Sequence, residues 1–172
     1  MKITLKLVLA IAAVALCSNI SAQNLKLAHI NMEELIVSMP EYDSAMVQLQ
    51  KTQNRLEEEI DALQVEYRKK LDDYQKNEAN LTEMVKQSRA TEIQNLGQRM
   101  QVYMESAQQE LEMENGKLMQ PIFEKANKAV ENVAREQGIT YVFDANPQIL
   151  RFKAAGTLDL LPAVKKHLGI TK

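Results

Sequence analysis

The chain has 172 residues, 45% of them hydrophobic but only 5% aromatic, with nine Met and no Trp. That length suits one ordinary domain, and the apolar residues suit helix seams better than a thick globular core. The formal net charge of −2 argues against a general nucleic-acid binder, which needs a dense basic face to displace phosphate counterions.

The N-terminus reads as a secretion signal. Lys2 and Lys6 precede an unbroken apolar run from Leu7 to Leu16, too short to span a bilayer. Ile20-Ser21-Ala22 before Gln23 is a plausible cleavage site, so residues 1–22 are assigned to a signal peptide and the mature chain to an exported protein. The only cysteine is Cys17. Cleavage after Ala22 removes it and leaves no disulfide; the rival, a lipid-modified Cys17, is disfavoured by the bulk of Leu16. The mature chain keeps 19 basic and 23 acidic residues, a net charge of −4.

Leu25 to Ile30 alternates and is apolar-rich, which predicts a short strand. Asn31 can cap a short helix that runs to Ile36 or Met39. Pro40 punctuates, and a long helix is predicted from Glu41. Apolar residues recur at Leu49, Leu56, Ile60, Leu63, Tyr67, Leu71 and Tyr74, then at Ile93, Leu96, Met100, Tyr103, Ala107 and Leu111. From Leu56 to Tyr74, and again from Ile93 to Leu111, the steps are three and four, as in a coiled-coil seam. Between them Asn80-Leu-Thr-Glu83 reads as a capping box. It also matches a glycosylation sequon, although the turn explains these residues better. An antiparallel helical hairpin with its tip near residues 78–82 follows.

In the second arm, Gly116 to Pro121 predicts a kink or a helix restart, because proline loses a hydrogen bond and crowds the preceding turn. Gly116 and Pro121 are therefore the candidate hinge. The helix then continues to about Gln137, with Ile122, Ala126, Ala129, Val130 and Val133 buried, and Gly138 stops it. A strand is predicted over Thr140–Asp144, a turn at Ala145-Asn146-Pro147, and a second strand over Gln148–Lys153 that forms a hairpin with the first. Leu158–Leu168 reads as a closing helix capped by Thr157 and ended by Gly169.

The fold class is thus α+β. Residues 41–120 form a helical hairpin, and residues 23–40 plus 121–172 form a β-containing body. That body has 70 residues, too few to trust as a lone core, and its sheet has edges to cover. It is therefore expected to oligomerise, with Ile30, Tyr141, Val142, Phe143, Ile149 and Leu150 as candidate interface residues.

Recognisable site chemistry is missing. His29 and His167 have no second ligand at metal spacing. Gly116-Lys117 lacks the rest of a phosphate loop, since Leu111 stands where the earlier glycine is required. Glu57-Glu58-Glu59 suits a solvated face better than a catalytic pair. The expectation is a binding protein without cofactor or metal, not an enzyme.

Taken in order, the signal segment, "AHINMEELI", the Pro-poor hairpin, "GKL", "AREQGITYVFDAN" and "DLLPAVKKHL" resemble the Skp/OmpH family of periplasmic chaperones. The resemblance spans the whole mature chain, and its strongest part is Tyr141-Val-Phe-Asp-Ala-Asn146. It implies a homotrimer in which strands from three subunits complete a β-barrel body and three hairpin tentacles enclose a cavity. It further implies ATP-independent holding of unfolded outer-membrane proteins in the periplasm, with no stable membrane insertion. Met side chains suit such adaptable contacts, and Tyr67, Leu71, Tyr74, Met84, Met100, Tyr103 and Met104 are the candidate client-binding residues. One departure stands out: well-known members are strongly basic, so no lipopolysaccharide site is carried over. Residues 68–99 do hold seven basic and five acidic residues, which makes the tip mildly positive. The competing reading is a structural or adaptor coiled coil of the cell envelope.

Overall fold

The computed structural model describes residues 25–170. The predicted signal peptide, its cleavage site and Cys17 lie outside the described residues. Strand β1 (Leu27–Ile30) leads into helix α1 (Met32–Val37), helix α2 (Pro40–Asn77) and a 3-10 turn (Glu78–Asn80). Helix α3 (Glu83–Glu136), β2 (Tyr141–Asp144), β3 (Leu158–Asp159) and α4 (Leu161–His167) complete the order.

Local chemistry sets several boundaries. Asn31 caps α1: its side-chain oxygen accepts from the Glu34 amide at 3.1 Å, which satisfies one of the free donors of the first turn. Pro40 opens α2, where its fixed φ fits and its missing N–H costs nothing. Gly138 takes φ +63° just beyond α3, and the Ile139 amide reaches back to the Ala134 carbonyl at 2.9 Å. That is the left-handed exit glycine adopts most cheaply.

The hairpin closes along the predicted seam. Leu56 of α2 and Ile93, Leu96 and Ala107 of α3 are buried, while Ile60, Leu63, Tyr67, Leu71, Met100 and Leu111 are half-buried beside them. Gly97 faces the Tyr67 ring across the seam, where an added Cβ would make an ordinary van der Waals contact at 3.5 Å. Ion pairs bridge the arms at Arg55–Glu110, Lys70–Glu92 and Glu41–Lys125. All are exposed to solvent screening, so each adds little to stability. At about 1.5 Å per residue, the 38 residues of α2 and the 54 of α3 span roughly 57 and 81 Å. The predicted capping box at the tip does not form. Asn80 belongs to the 3-10 turn, and Thr82 stands at the N-cap of α3 without a side-chain bond.

The main core sits where the chain ends return. Ile30, Leu35, Ile36 and Met39 pack with Ile122, Ala126, Ala129 and Val133 of α3 and with Leu160, Leu161 and Val164. The sheet differs from expectation. Its order is β2-β1-β3, and β1 pairs in parallel with both neighbours, Leu27 opposite Tyr141 and Ala28 opposite Leu158. The whole helical hairpin is therefore the crossover that a parallel β1–β2 pair requires.

The predicted strand Gln148–Lys153 is not a strand, and no hairpin with β2 exists. The amides of Ile149 and Leu150 both bond to the Asn146 carbonyl, at 2.9 and 2.8 Å, so the chain coils after Asn146-Pro147 instead of reversing. The residues that do pair are Leu158 and Asp159, the first two of the predicted closing helix. The Asp159 carboxylate accepts from the Leu161 amide at 2.9 Å and takes the capping part assigned to Thr157. Nor is there a restart at Gly116 to Pro121: α3 runs unbroken through both residues.

Candidate functional site

Two surfaces expose apolar side chains, and they lie at opposite ends of the molecule. The first is the shaft of the hairpin. Tyr67, Leu71, Tyr74, Met100 and Tyr103 are half-buried, since they serve the seam as well as facing out. Tyr103 donates its hydroxyl to Glu59. This bond, together with Arg55, holds the Glu59 carboxyl below its ordinary range, and the same bond to Glu59 pushes the Tyr103 phenol up. Met84 is 82% exposed, and Met104 also projects into solvent. Sequence reasoning missed Val65 and Val102 as site residues; both are exposed, and both fall off the seam spacing, which was the signal available. Exposed Met113 extends the same surface toward the base.

The second surface is the outer side of the base. Tyr141 and Phe143 alternate outward on β2 with ring centroids 6.4 Å apart, and Leu27, Ile149 and Phe152 are exposed beside them. Val142 and Leu150 are half-buried. Ile30 differs from the other candidate interface residues: at 1% exposure it belongs to the core of its own chain. A shallow groove of about 230 Å³ opens between Leu27, Phe143, Leu150 and Phe152. His29 lines it, with Nε2 3.1 Å from the Lys153 ammonium and 4.0 Å from the Asp159 carboxylate.

The candidate hinge lies between these surfaces. Gly116 faces open space. Pro121 borders a groove of about 580 Å³ shared with Pro40, Ala45, Leu118 and Ile122. The Glu41–Lys125 pair spans the arms there, and the Lys125 bond holds the Glu41 carboxyl below its ordinary range.

Among the described residues, no His, Cys, Asp or Glu group of three could hold a metal ion. Among the same residues, no helix is long and apolar enough to cross a membrane. The physical capacity on view is contact: an elongated shaft with scattered apolar side chains, carried on a small mixed body.

No curated protein sequence matches the chain significantly. The solved structures include a similar one, a candidate OmpH-like outer membrane chaperone from Caulobacter crescentus CB15. The two share a TM-score of 0.73 at 13% identity, over 84% of this chain and 83% of the other, so that likeness speaks to the fold alone. The family model for outer membrane protein (OmpH-like) matches residues 26–168, from just before β1 to just after α4. With all the described elements inside that match, the chain belongs to the outer membrane protein (OmpH-like) family.

Proposed function

We infer that this protein is an ATP-independent periplasmic holdase that keeps unfolded outer-membrane proteins from aggregating. The observation that carries the reading is the exposure of large apolar side chains along a thin shaft, with Met84, Val102 and Met113 at 82, 62 and 69%. Two packed helices leave these side chains free to contact another chain, at intervals along the whole shaft. A stranded outer-membrane chain alternates apolar and polar residues and precipitates in water. Many weak contacts can hold it without demanding one sequence, and flexible Met side chains suit that task.

In this reading residues 1–22 are cleaved on export and the base assembles a homotrimer. The edge strands β2 and β3 and the exposed Tyr141, Phe143 and Ile149 supply the contact surface, because open edges and exposed aromatics call for cover. Three shafts then surround one cavity, and the contact with clients is spread over Tyr67, Leu71, Tyr74, Met84, Met100, Tyr103 and Met104. The test is to dilute several unrelated urea-unfolded outer-membrane barrels into buffer with the mature protein and follow turbidity. Suppression across all of them supports the holdase. Suppression of none leaves the adaptor coiled coil as the better account.

A further inference from the structure

One stripe of the second arm has a composition that hairpin packing does not explain. Met84, Ser88, Thr91, Asn95 and Gln98 follow one another at steps of three and four along α3, and Val102, Ser106, Gln109 and Met113 continue the row. These nine residues run along one flank of α3 beside the seam, all are exposed, and none is charged. The chain is 26% charged overall, so a merely solvated stripe of this length would carry about two charges or more. The comparable stripe on α2, through Val47 and Val65, carries Lys51, Glu58, Lys69 and Asp72. The neutral stripe is too polar to form a helix–helix seam in water, where apolar positions are required.

We propose that this neutral stripe is a docking rail for extended, uncharged segments of an unfolded client, and that it selects them by their lack of charge. The proposal rests on the holdase reading and names the part of the client that is recognised. Ser, Thr, Asn and Gln each donate and accept, so they can meet the unpaired N–H or C=O of an extended chain in any register. Met84, Val102 and Met113 supply apolar anchors. Met84 and Val102 stand about 27 Å apart along the helix, at 1.5 Å per residue. A transmembrane strand of about ten residues extends roughly 33 Å, so one strand can reach both anchors. A charged segment laid on the same rail would lose water against neutral side chains, while Lys70 and Glu92 beside it already pair with each other, which disfavours it. Shallow grooves of about 560 and 520 Å³ run between the rail and α2; Glu66, Lys70, Glu92 and Arg99 line the first, and Leu63, Arg99 and Tyr103 the second, so charge lies beside the rail and not on it.

The test pairs two variants with no change in net charge. One places Ser88→Lys, Asn95→Glu, Val102→Lys and Gln109→Glu on the rail; the other places Val47→Lys, Gln50→Lys, Asn54→Glu and Ala62→Glu on α2. All eight positions are exposed, and circular dichroism confirms that both variants fold. The probes are a urea-unfolded outer-membrane barrel, followed by turbidity, and two labelled peptides of about ten residues, followed by anisotropy. Both peptides alternate Leu or Val with a second residue, Ser, Thr or Asn in the neutral one and Lys or Glu in equal number in the other. The wild-type protein should suppress barrel aggregation and bind the neutral peptide about tenfold more tightly than the charged one, with little change up to about 0.5 M salt. The rail variant should lose about tenfold in neutral-peptide affinity while the α2 variant keeps it. Equal behaviour of the two variants, or binding that collapses with salt, overturns the rail and leaves the holdase standing. Failure of the wild-type protein to suppress aggregation overturns both.

Discussion

Gly116 and Gly138 offer a paired experiment in which one substitution should act with opposite sign. Both glycines face open space, so an added Cβ meets no heavy atom within 4 Å at either site. The difference is in the backbone. Gly116 is inside α3 with an ordinary helical φ, whereas Gly138 has φ +63°. At Gly116, alanine removes the backbone freedom that glycine must lose in a helix, and Gly116→Ala should stabilise by about 1 kcal/mol. At Gly138, alanine must enter the left-handed region at a cost of about 1–2 kcal/mol, offset by roughly 0.5 kcal/mol from the stiffer unfolded chain. Gly138→Ala should therefore destabilise by about 1 kcal/mol, placing the two variants about 2 kcal/mol apart. Urea unfolding followed by helical circular dichroism measures this, at one fixed protein concentration because assembly shifts the midpoint. Shifts of the same sign in both variants would refute the assignment of Gly138 as a left-handed stop or of Gly116 as an unstrained helical residue.

Leu160, fully buried among the base residues, should cost about 3 kcal/mol as Leu160→Ala; an urea midpoint unchanged from the wild type would contradict its place in the core. Phe143→Asp should leave the helices folded, since the ring is half exposed in one chain, yet reduce the assembled mass by burying a charge at the proposed interface; unchanged mass by light scattering would place the strand outside it. The Glu41 carboxyl is held low by Lys125, so its contribution is present above the ordinary carboxylate range and fades as pH falls through the depressed value. Lys125→Met should flatten that acid loss slightly, the pair being partly exposed, and an unaltered acid profile would show that the pair does not contribute.

The shaft was legible in the sequence because periodicity reports which face of a helix is buried. Leu56, Ile93, Leu96 and Ala107 sit where that reading places them, and three helix boundaries were marked by Asn31 through its side-chain cap and by Pro40 and Gly138 through their backbone. Strand direction was not legible, since alternation in Tyr141–Asp144 is the same whether its partner runs parallel or antiparallel. β3 has two residues, too short to leave any pattern, and apolar Leu158 also fitted the helix that follows. Pro121 misled for a different reason. Ile122, Ala126, Ala129 and Val133 carry the buried face on beyond it, and the proline itself is exposed. Packing downstream thus overrides a local preference that would break an isolated helix. Of the candidate interface residues, Ile30 turned inward because β1 is the central strand, flanked on both sides within its own chain.

The central claim is that three copies of this chain hold one unfolded client between their shafts. Light scattering coupled to size exclusion, on the mature protein alone and after mixing with a urea-unfolded outer-membrane barrel, tests it most directly. The account predicts a free mass of three chains and a soluble complex of three chains with one client. A monomeric protein that leaves the barrel to precipitate would contradict it.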